Sequence, residues 1–273
     1  MKAAVLARGL ARRMRAEGAA APLTDVHRAA ASAGLKAMMP VGPPVADGTR
    51  RPFLDYILSE IADAGAPDVA LVVAPDHDDV RRWYEELAPP RRVRITYVVQ
   101  PEAIGTANAV LACEAWADGD PFLVMNGDNL YPAGVLRPLV ALGSPGLPAF
   151  RRADLVRSGH ISAERVGAFA LLDIDAHGHL RRIVEKPGAD AVASEDARVS
   201  MNCWRFDETI FPPCRDVPRS PRGEFELPGA VGLAISRGLT FTAIPATGEI
   251  LDLSSRSDVA EVARRLAPRR ARP

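Results

Sequence analysis

The chain has 273 residues, and its 34 Lys and Arg residues balance 34 Asp and Glu residues, so the formal net charge is zero. A neutral chain offers no general electrostatic attraction to nucleic acid or to an anionic membrane, and no apolar run approaches the ~20 residues of a membrane span. Hydrophobic residues make up 48% of the chain and charged residues 25%, which is typical of a globular protein with a full core and excludes a disordered chain.

The cysteines are too few and too far apart to build a covalent or metal framework. Cys113, Cys203 and Cys214 have no short pairing, which excludes a disulfide scaffold and a cysteine-type zinc site. A reduced, cytoplasmic protein is therefore expected. Lysines are rare among the cationic residues, so each of them is a functional candidate: Lys2, Lys36 and Lys186.

The first half of the chain alternates between apolar runs and helical patterns. Strands are predicted at residues 2–7, 69–74, 93–99 and 122–125, and helices within 17–34 and at 53–64, 78–88 and 106–117. This alternation predicts an α/β fold: a three-layer αβα, Rossmann-like arrangement around a mixed, mostly parallel sheet.

The second half is richer in strands. Strands are predicted at residues 166–173, 180–184, 198–206 and 239–244, helices at 227–236 and 257–266, and a frayed tail at 268–273. No convincing linker separates the halves. We therefore expect a single domain in which residues 143–267 build a lid over residues 1–142.

The loop after the first strand is the first candidate for chemistry. Such a loop lies at the carboxyl edge of a parallel sheet, where open α/β sheets bind ligands. Its backbone N–H groups, Arg12 and Arg13 could hold a polyphosphate, because guanidinium groups match phosphate oxygens. Lys36 could act as a charge clamp beside it. The alternatives are a plain surface loop and a solvated surface lysine.

Two aspartates follow apolar, strand-like runs. Asp128 ends the segment Asn126-Gly127-Asp128, and Asp252 follows Ile250-Leu251. A carboxylate at the carboxyl end of a strand, beside a phosphate loop, is where Mg²⁺ would be held. The alternative is an aspartate in an ordinary turn. If both side chains converge, they form a minimal two-carboxylate Mg²⁺ site.

Taken in chain order, these segments and several others resemble the sugar-1-phosphate nucleotidyltransferases, also called nucleoside-diphosphate-sugar pyrophosphorylases. The resemblance covers roughly residues 2–266. Residues 6–14 resemble the family's Leu-Ala-Gly-Gly-x-Gly-Thr-Arg-Leu/Met, 35–41 its Pro-Lys-x-Leu-Leu-Pro-Val, 100–107 its Gln-x-x-x-x-Gly-Thr-Ala, 126–128 its metal-binding Gly-Asp, 185–187 its Glu-Lys-Pro, 201–206 its Asn-x-Gly-x-Tyr-x-Phe, 223–227 its Gly-Glu-x-Glu-Leu/Ile and 250–253 its Trp-x-Asp-x-Gly-Thr.

The resemblance implies a nucleotide-binding half at residues 1–142. Arg13 and Lys36 would hold the triphosphate and stabilise charge on the α-phosphate. Gln100 and Gly105 would bind the base. The further substrate-binding positions of this half are Gly9, Arg12 and Asn126.

The resemblance also implies a sugar-phosphate-binding half at residues 143–267 and a Mg²⁺ cofactor. Glu185, Asn202 and Gly167 would contact the sugar, and Lys186 its phosphate. If strand alternation places Trp204 on the face of Asn202, its ring would narrow this pocket. The two metal ligands would be Asp128 and Asp252.

The implied reaction joins a nucleoside triphosphate to a sugar 1-phosphate, and dTTP or UTP is weakly favoured. Several positions depart from the family motifs. Arg8 stands where the family usually has Gly, Ala11 and Arg12 replace Gly-Thr, and Cys203-Trp204 replaces a Gly-x pair. Two alternatives follow: a cytidylyl- or guanylyltransferase for a non-sugar phosphate, and a non-catalytic nucleotide-sugar-binding protein. Assembly into a homo-oligomer is left open.

Overall fold

The computed structural model describes residues 1–9, 14, 25–33, 35–46, 48–158, 161–167, 169–185, 187 and 194–273. Strands and helices follow one another along the chain. The strands are β1 (Lys2–Leu6), β2 (Pro40–Pro44), β3 (Arg50–Pro52), β4 (Asp68–Val73), β5 (Arg94–Val99), β6 (Phe122–Asn126), β7 (Asn129–Leu130), β8 (Gly146–Arg151), β9 (Ala170–Ile174), β10 (Leu180–Val184), β11 (Arg198–Ser200), β12 (Cys203–Phe206), β13 (Thr242–Ala246) and β14 (Leu251–Asp252).

The helices flank these strands. They are α1 (Asp25–Ala33), α2 (Phe53–Ala64), α3 (Asp78–Arg82), α4 (Thr106–Leu111), α5 (Glu114–Ala117), α6 (Ala133–Ala141), α7 (Arg152–Arg157), α8 (Ala163–Val166), α9 (Phe211–Asp216), α10 (Leu227–Ser236) and α11 (Asp258–Leu266). None of the helices in the described ranges is long and apolar enough to cross a membrane.

Ten of the described strands form one continuous mixed sheet, in the order β10-β9-β11-β8-β12-β6-β1-β4-β5, with β13 paired to β8. Strands β6, β1, β4 and β5 run parallel to one another, whereas β12 is antiparallel to β6. This confirms the predicted α/β class. Because the register pairs Leu6 with both Val72 and Asn126, the carboxyl ends of β1, β4 and β6 meet at one edge.

Helices cover both faces of the sheet, and each face has its own apolar core. On one face, the predicted apolar stripe of α2 is buried against the sheet, as the helical period requires. On the other face, aromatic rings of β6, β12 and α9 stack against one another; Phe122 and Phe211, for example, lie 5.6 Å apart. The stripe of α2 comprises Phe53, Leu54, Ile57, Leu58 and Ile61.

Two predicted strands begin or run differently in the structure. The segment predicted as a strand at 166–173 starts with the last residue of α8, and the strand β9 begins only at Ala170. Ser162 caps that helix by accepting a hydrogen bond from the Arg165 N–H at 3.2 Å. The segment predicted at 198–206 is split into β11 and β12 at Asn202, whose φ is +61°. Gly167 and Asn202 therefore lie beside strands, not on them.

The C-terminal segment is docked, and its prediction as a frayed tail is wrong. Pro273 is buried, and its carbonyl oxygen accepts hydrogen bonds from the N–H groups of Arg91 and Arg92 at 2.9 and 3.1 Å. The N–H of Arg272 donates to Ser59 Oγ on α2 at 2.5 Å. These bonds hold the segment against α2 and the loop that enters β5.

Candidate active site

A cleft of about 420 Å³ opens at the carboxyl ends of β1 and β6. Backbone bonds fix its floor: the Gly127 N–H donates to the Leu6 carbonyl at 3.0 Å, and the Gln100 N–H donates to the Val73 carbonyl at 2.9 Å. Six of the candidate residues named from the sequence line this one cleft: Gly9, Lys36, Gln100, Gly105, Asn126 and Asp128.

A lysine–aspartate pair lies at the centre of this cleft. Lys36 Nζ is 3.0 Å from Asp128 Oδ2, and the two side chains are only 19% and 25% exposed. Gly127 permits the end of β1 to pack closely beside this pair, since a Cβ there would lie 3.1 Å from the Leu6 carbonyl oxygen. Lys36 therefore faces the cleft as one half of an ion pair.

The loop after β5 forms one wall of the cleft. The buried Gln100 uses its side-chain Nε2 to donate to the Gly105 carbonyl at 3.0 Å and to Asn108 Oδ1 at 2.8 Å. Gly105 has φ +129°, and the N–H of Ala107 donates to the Phe225 carbonyl at 2.9 Å. The loop is thus held from within and by the segment that precedes α10.

Arg8, which departs from the family motif, is turned onto this same loop. Its Nε donates to the Gln100 carbonyl at 2.8 Å, and its Nη2 donates to the Pro101 carbonyl at 2.9 Å. The guanidinium therefore ties the end of β1 to the candidate base loop.

Asp252 lies on a backbone segment that pairs with the segment carrying Asp128. The N–H of Leu253 donates to the Asp128 carbonyl at 2.8 Å, and β14 pairs Asp252 with Asn129. Asp252 is buried and forms an ion pair with Arg165 at 2.9 Å. Burial, together with the charge of Asp128, raises the pKa of the Asp252 carboxyl above its usual value, although Arg165 opposes this shift.

The candidate sugar contacts lie outside the lining of this cleft. Glu185 follows β10, Gly167 follows α8, and Asn202 follows β11. Strands β10, β9 and β11 are neighbours in the sheet, and Ser200 pairs with Ala170 beside Gly167. The topology therefore sets these three positions at one end of the strand-rich half.

The backbone of Asn202 also changes its match to the family motif. Counted back from Phe206, Asn202 occupies the glycine position of Asn-x-Gly-x-Tyr-x-Phe, and Ser200 occupies the asparagine position. The left-handed φ of +61° fits a glycine position, which asparagine tolerates better than most residues. Ser200 Oγ accepts a hydrogen bond from the Asn202 N–H at 3.2 Å.

Three predicted site residues, Arg12, Arg13 and Lys186, lie outside the described residues. Two others that line the cleft were missed. Arg222 and Glu224 stand on either side of Gly223, and Arg222 Nη2 donates to Glu226 Oε1 at 2.5 Å. The sequence feature that could have identified them is the arginine immediately before the Gly-Glu-x-Glu motif.

Trp204 does not narrow a pocket, contrary to the expectation from strand alternation. Its side chain is fully buried in an apolar core, stacked on Phe206 at 5.6 Å and edge-on to Phe241 at 6.4 Å. We expect Trp204→Ala to destabilise the protein by ~3–5 kcal/mol without broadening its substrates.

The measurement for this prediction is urea unfolding of purified variants. Trp204→Phe is the matched variant, because it keeps the ring and removes an indole N–H that is buried without a partner among the described residues. It should cost far less than Trp204→Ala. An unchanged unfolding midpoint for Trp204→Ala, with a wider range of accepted substrates, would contradict this core role.

The fold is that of an α/β protein with a cleft where parallel strands end, which is the place where open α/β sheets bind ligands. The family model described as nucleotidyl transferase matches residues 39–267. The chain therefore belongs to the nucleotidyl transferase family and is a nucleotidyltransferase. This confirms the resemblance to the sugar-1-phosphate nucleotidyltransferases that the motifs indicate.

Individual relatives agree with this membership. The UTP–glucose-1-phosphate uridylyltransferase AglF of Haloferax volcanii is 28% identical over 270 residues, which cover 97% of this chain and 96% of that protein. A glucose-1-phosphate thymidylyltransferase of Streptomyces antibioticus is 29% identical, over 78% of this chain and 57% of that protein.

Solved structures share the fold. A UDP-glucose pyrophosphorylase complexed with UDP-glucose has a TM-score of 0.72 at 18% identity, and the match covers 99% of this chain and all of that one. A UTP-bound UGPase of Acinetobacter baumannii has a TM-score of 0.73 at 17% identity, over 97% of this chain and 93% of that one.

Proposed function

We propose that this chain joins a nucleoside triphosphate to a sugar 1-phosphate, giving a nucleoside-diphosphate sugar and pyrophosphate. The observation that carries the proposal is the Lys36–Asp128 pair, which lies in the same cleft as the Gln100–Gly105 loop. The uridylyltransferase and thymidylyltransferase relatives support the same reaction class.

The triphosphate would lie along the Lys36 side of the cleft, with Arg13, Arg12, Gly9 and Asn126 as the further contacts expected from the motifs. An oxygen of the sugar phosphate attacks the α-phosphorus in line; one P–O bond forms, one breaks, and pyrophosphate leaves. Such a transfer needs alignment and charge neutralisation more than a side-chain nucleophile. Lys36 would supply positive charge beside the α-phosphate.

The base would be one that presents a ring N–H donor to Gln100, as uracil and thymine do at position 3. The two amide hydrogens of Gln100 are both used within the protein, on Gly105 and Asn108. A base can therefore pair only with the remaining acceptor oxygen of this side chain. Uracil and thymine present a donor at N3, whereas cytosine presents an acceptor there. This favours UTP or dTTP over CTP.

Asp128 and Asp252 would hold Mg²⁺. The donor set fits a divalent cation, because β14 pairs Asp252 with the residue after Asp128. Burial and then the charge of Asp128 raise the pKa of the Asp252 carboxyl, and a bound cation would relieve this repulsion. No cluster of three or more metal-ligating side chains exists among the described residues, so substrate phosphates and water would complete the shell. When bound, the cation neutralises charge on the phosphates.

The sugar phosphate would bind against Gly167, Glu185, Asn202 and Lys186. The positions of the first three at one end of neighbouring strands support this. Although desolvation lowers it, the pKa of Arg222 is raised overall by Glu226 first and then by the charges of Glu224 and Glu185. Because Arg222 lines the cleft, it would join the two halves of the site.

A pyrophosphate-release screen tests the proposed function. Five nucleotides (ATP, CTP, GTP, UTP and dTTP) are each combined with Mg²⁺ and with two panels, one of sugar 1-phosphates and one of non-sugar phosphates, and the binding of nucleotide sugars is measured alongside. Release with UTP or dTTP and a sugar 1-phosphate is expected. Release only with non-sugar phosphates would establish the cytidylyl- or guanylyltransferase alternative, and nucleotide-sugar binding without release would establish a non-catalytic role.

Replacing Glu185 tests the sugar side separately. A carboxylate that pairs with sugar hydroxyls discriminates between substrates, because a substrate without the matching hydroxyl leaves it unpaired. Removing the carboxylate removes these hydrogen bonds to the sugar. Glu185→Ala should therefore raise the KM for the sugar phosphate far more than the KM for the nucleotide. Steady-state kinetics with each substrate varied in turn provide the measurement.

Glu195→Ala is the matched control, since Glu195 is an exposed carboxylate in the turn before β11. Its kinetics should equal those of the wild-type protein. If Glu185→Ala instead weakens only nucleotide binding, the strand-rich half holds a different ligand from the one proposed.

A further inference from the structure

A cluster of three charged side chains, of which the two carboxylates are buried, includes the candidate metal ligand Asp252. It consists of Arg165, Asp252 and Asp258, and it is called here the Arg165 cluster. Asp252 is 2% exposed and Asp258 is 8% exposed. Arg165 Nη2 lies 2.9 Å from Asp252 Oδ2, while Asp252 Oδ1 accepts a hydrogen bond from Ser254 Oγ at 2.6 Å. Both oxygens of the candidate metal ligand are therefore engaged by protein groups.

Asp258 holds Arg165 independently of Asp252. Arg165 Nη1 and Nη2 donate to the two oxygens of Asp258 at 2.7 and 3.0 Å, which is a bidentate pair. The N–H groups of Ser254 and Ser255 also donate to Asp258 Oδ2, at 3.0 and 2.7 Å. Because Asp258 is anchored in this way, Arg165 can lose its contact to Asp252 and stay in place.

The position of Arg165 opposes metal binding. The Arg165 guanidinium lies 2.9 Å from Asp252 Oδ2, so it competes with a metal for this oxygen and repels a divalent cation electrostatically. The low exposure of these side chains strengthens the electrostatic repulsion, since solvent screens the charges poorly. Lys36 on Asp128 is a second, similar obstacle on the neighbouring carboxylate.

We propose that Arg165 is a positioning residue that holds the Asp252 carboxylate and competes with a divalent cation for its Oδ2 oxygen. The proposal rests on the proposed function, because it takes Asp252 as a ligand of the metal. Arg165 also lies two residues before Gly167, at the end of α8. The residue that restrains the metal carboxylate thus sits on the segment that leads to the candidate sugar contacts.

Binding of Mn²⁺ alone, followed by electron paramagnetic resonance, tests the proposal without any turnover. Arg165→Met should bind Mn²⁺ about tenfold more tightly than the wild-type protein, since a unit charge and a steric competitor are both removed. Arg165→Lys should show a smaller gain, because an ammonium is a single point charge that cannot bridge two carboxylates. Arg157→Met is the matched control: Arg157 forms an exposed pair with Asp154 on α7, and Mn²⁺ affinity should not change.

Two further variants assign the effect to its carboxylate. The gain in Arg165→Met should disappear in Arg165→Met/Asp252→Asn, because a neutral amide then replaces the carboxylate that Arg165 no longer holds. Arg165→Met removes the cationic partner of two buried carboxylates, so this variant should be less stable than the wild-type protein. If it does not fold, the Mn²⁺ affinity of Arg165→Lys is compared with that of the wild-type protein instead. Equal Mn²⁺ affinity in the wild-type protein and the folded Arg165 variants overturns the proposal, and so does a gain that persists without Asp252.

The same series separates this proposal from the metal site itself. Loss of Mn²⁺ binding in Asp128→Asn, together with unchanged affinity in the Arg165 variants, overturns only the role of Arg165. If neither the wild-type protein nor the Arg165 variants bind Mn²⁺, the proposed metal site fails as well. Binding by Arg165→Met but not by the wild-type protein supports the proposal most strongly.

Discussion

Replacing Asp128 with asparagine is expected to lower turnover by at least about 10²–10³-fold, the scale on which charge-stabilising groups act, and to leave the protein folded. The carboxylate pairs with Lys36 at 3.0 Å in the cleft and is one of the two proposed Mg²⁺ ligands. The amide keeps the shape but loses the charge that orients Lys36 and a cation. The fold should survive, because the backbone carbonyl of Asp128 still accepts from Leu253.

The chain supplies a matched control for this variant. Lys2 and Asp120 form another lysine–aspartate pair, at 2.9 Å, at the opposite end of β1, and Asp120 is 63% exposed. Asp120→Asn should therefore leave the rate of pyrophosphate release unchanged. Equal rates for Asp128→Asn and the wild-type protein would show that the reaction does not need the Asp128 carboxylate.

Gly105→Ala is expected to abolish tight nucleotide binding. A Cβ at this position would lie 2.2 Å from the Phe225 carbonyl oxygen, and the φ of +129° is one that residues with side chains rarely adopt. The loop must therefore move, and it carries the Gly105 carbonyl that fixes the Gln100 amide. We expect the KM for the nucleotide to rise at least about tenfold, with a loss of stability of ~1–3 kcal/mol from backbone strain.

Gly134→Ala is the control for this substitution. Gly134 lies in α6, and an added Cβ there meets no atom within 4 Å. Alanine should stabilise that helix by ~0.5–1 kcal/mol and leave the kinetics unchanged. Nucleotide titrations and thermal unfolding of both variants provide the measurement. Normal nucleotide affinity in Gly105→Ala would mean that this loop does not hold the base.

Six candidate residues named from the sequence line the cleft, whereas Arg222 and Glu224 were missed. Gln100 and Asn126 come at the ends of apolar runs, and strands that run parallel end at the same edge of the sheet. The resemblance singled out Gln100, and the shared edge of the parallel strands explains why it lies with Asn126 and Asp128 around one cleft. Lys36 could be singled out because lysine is rare in this chain, but its partner emerged only from the folded structure.

Other features depend on contacts that no local pattern encodes. Strand alternation counted from Asn202 placed Trp204 in a pocket, but the left-handed backbone at Asn202 interrupts the strand and resets which face each residue occupies. β8 was missed because its Gly146 and Pro148 are residue types that strands disfavour. The pairing of Arg165 with Asp252 joins segments far apart in sequence, so only the fold brings them together.

The central claim is that the cleft at the ends of β1 and β6 holds the nucleotide for transfer. A crystal structure of the protein soaked with UTP or dTTP tests it most directly. We expect the base against Gln100 and Gly105 and the α-phosphate beside Lys36 and Asp128. A nucleotide bound elsewhere, or one whose base lies on the Glu185 side, would contradict the account.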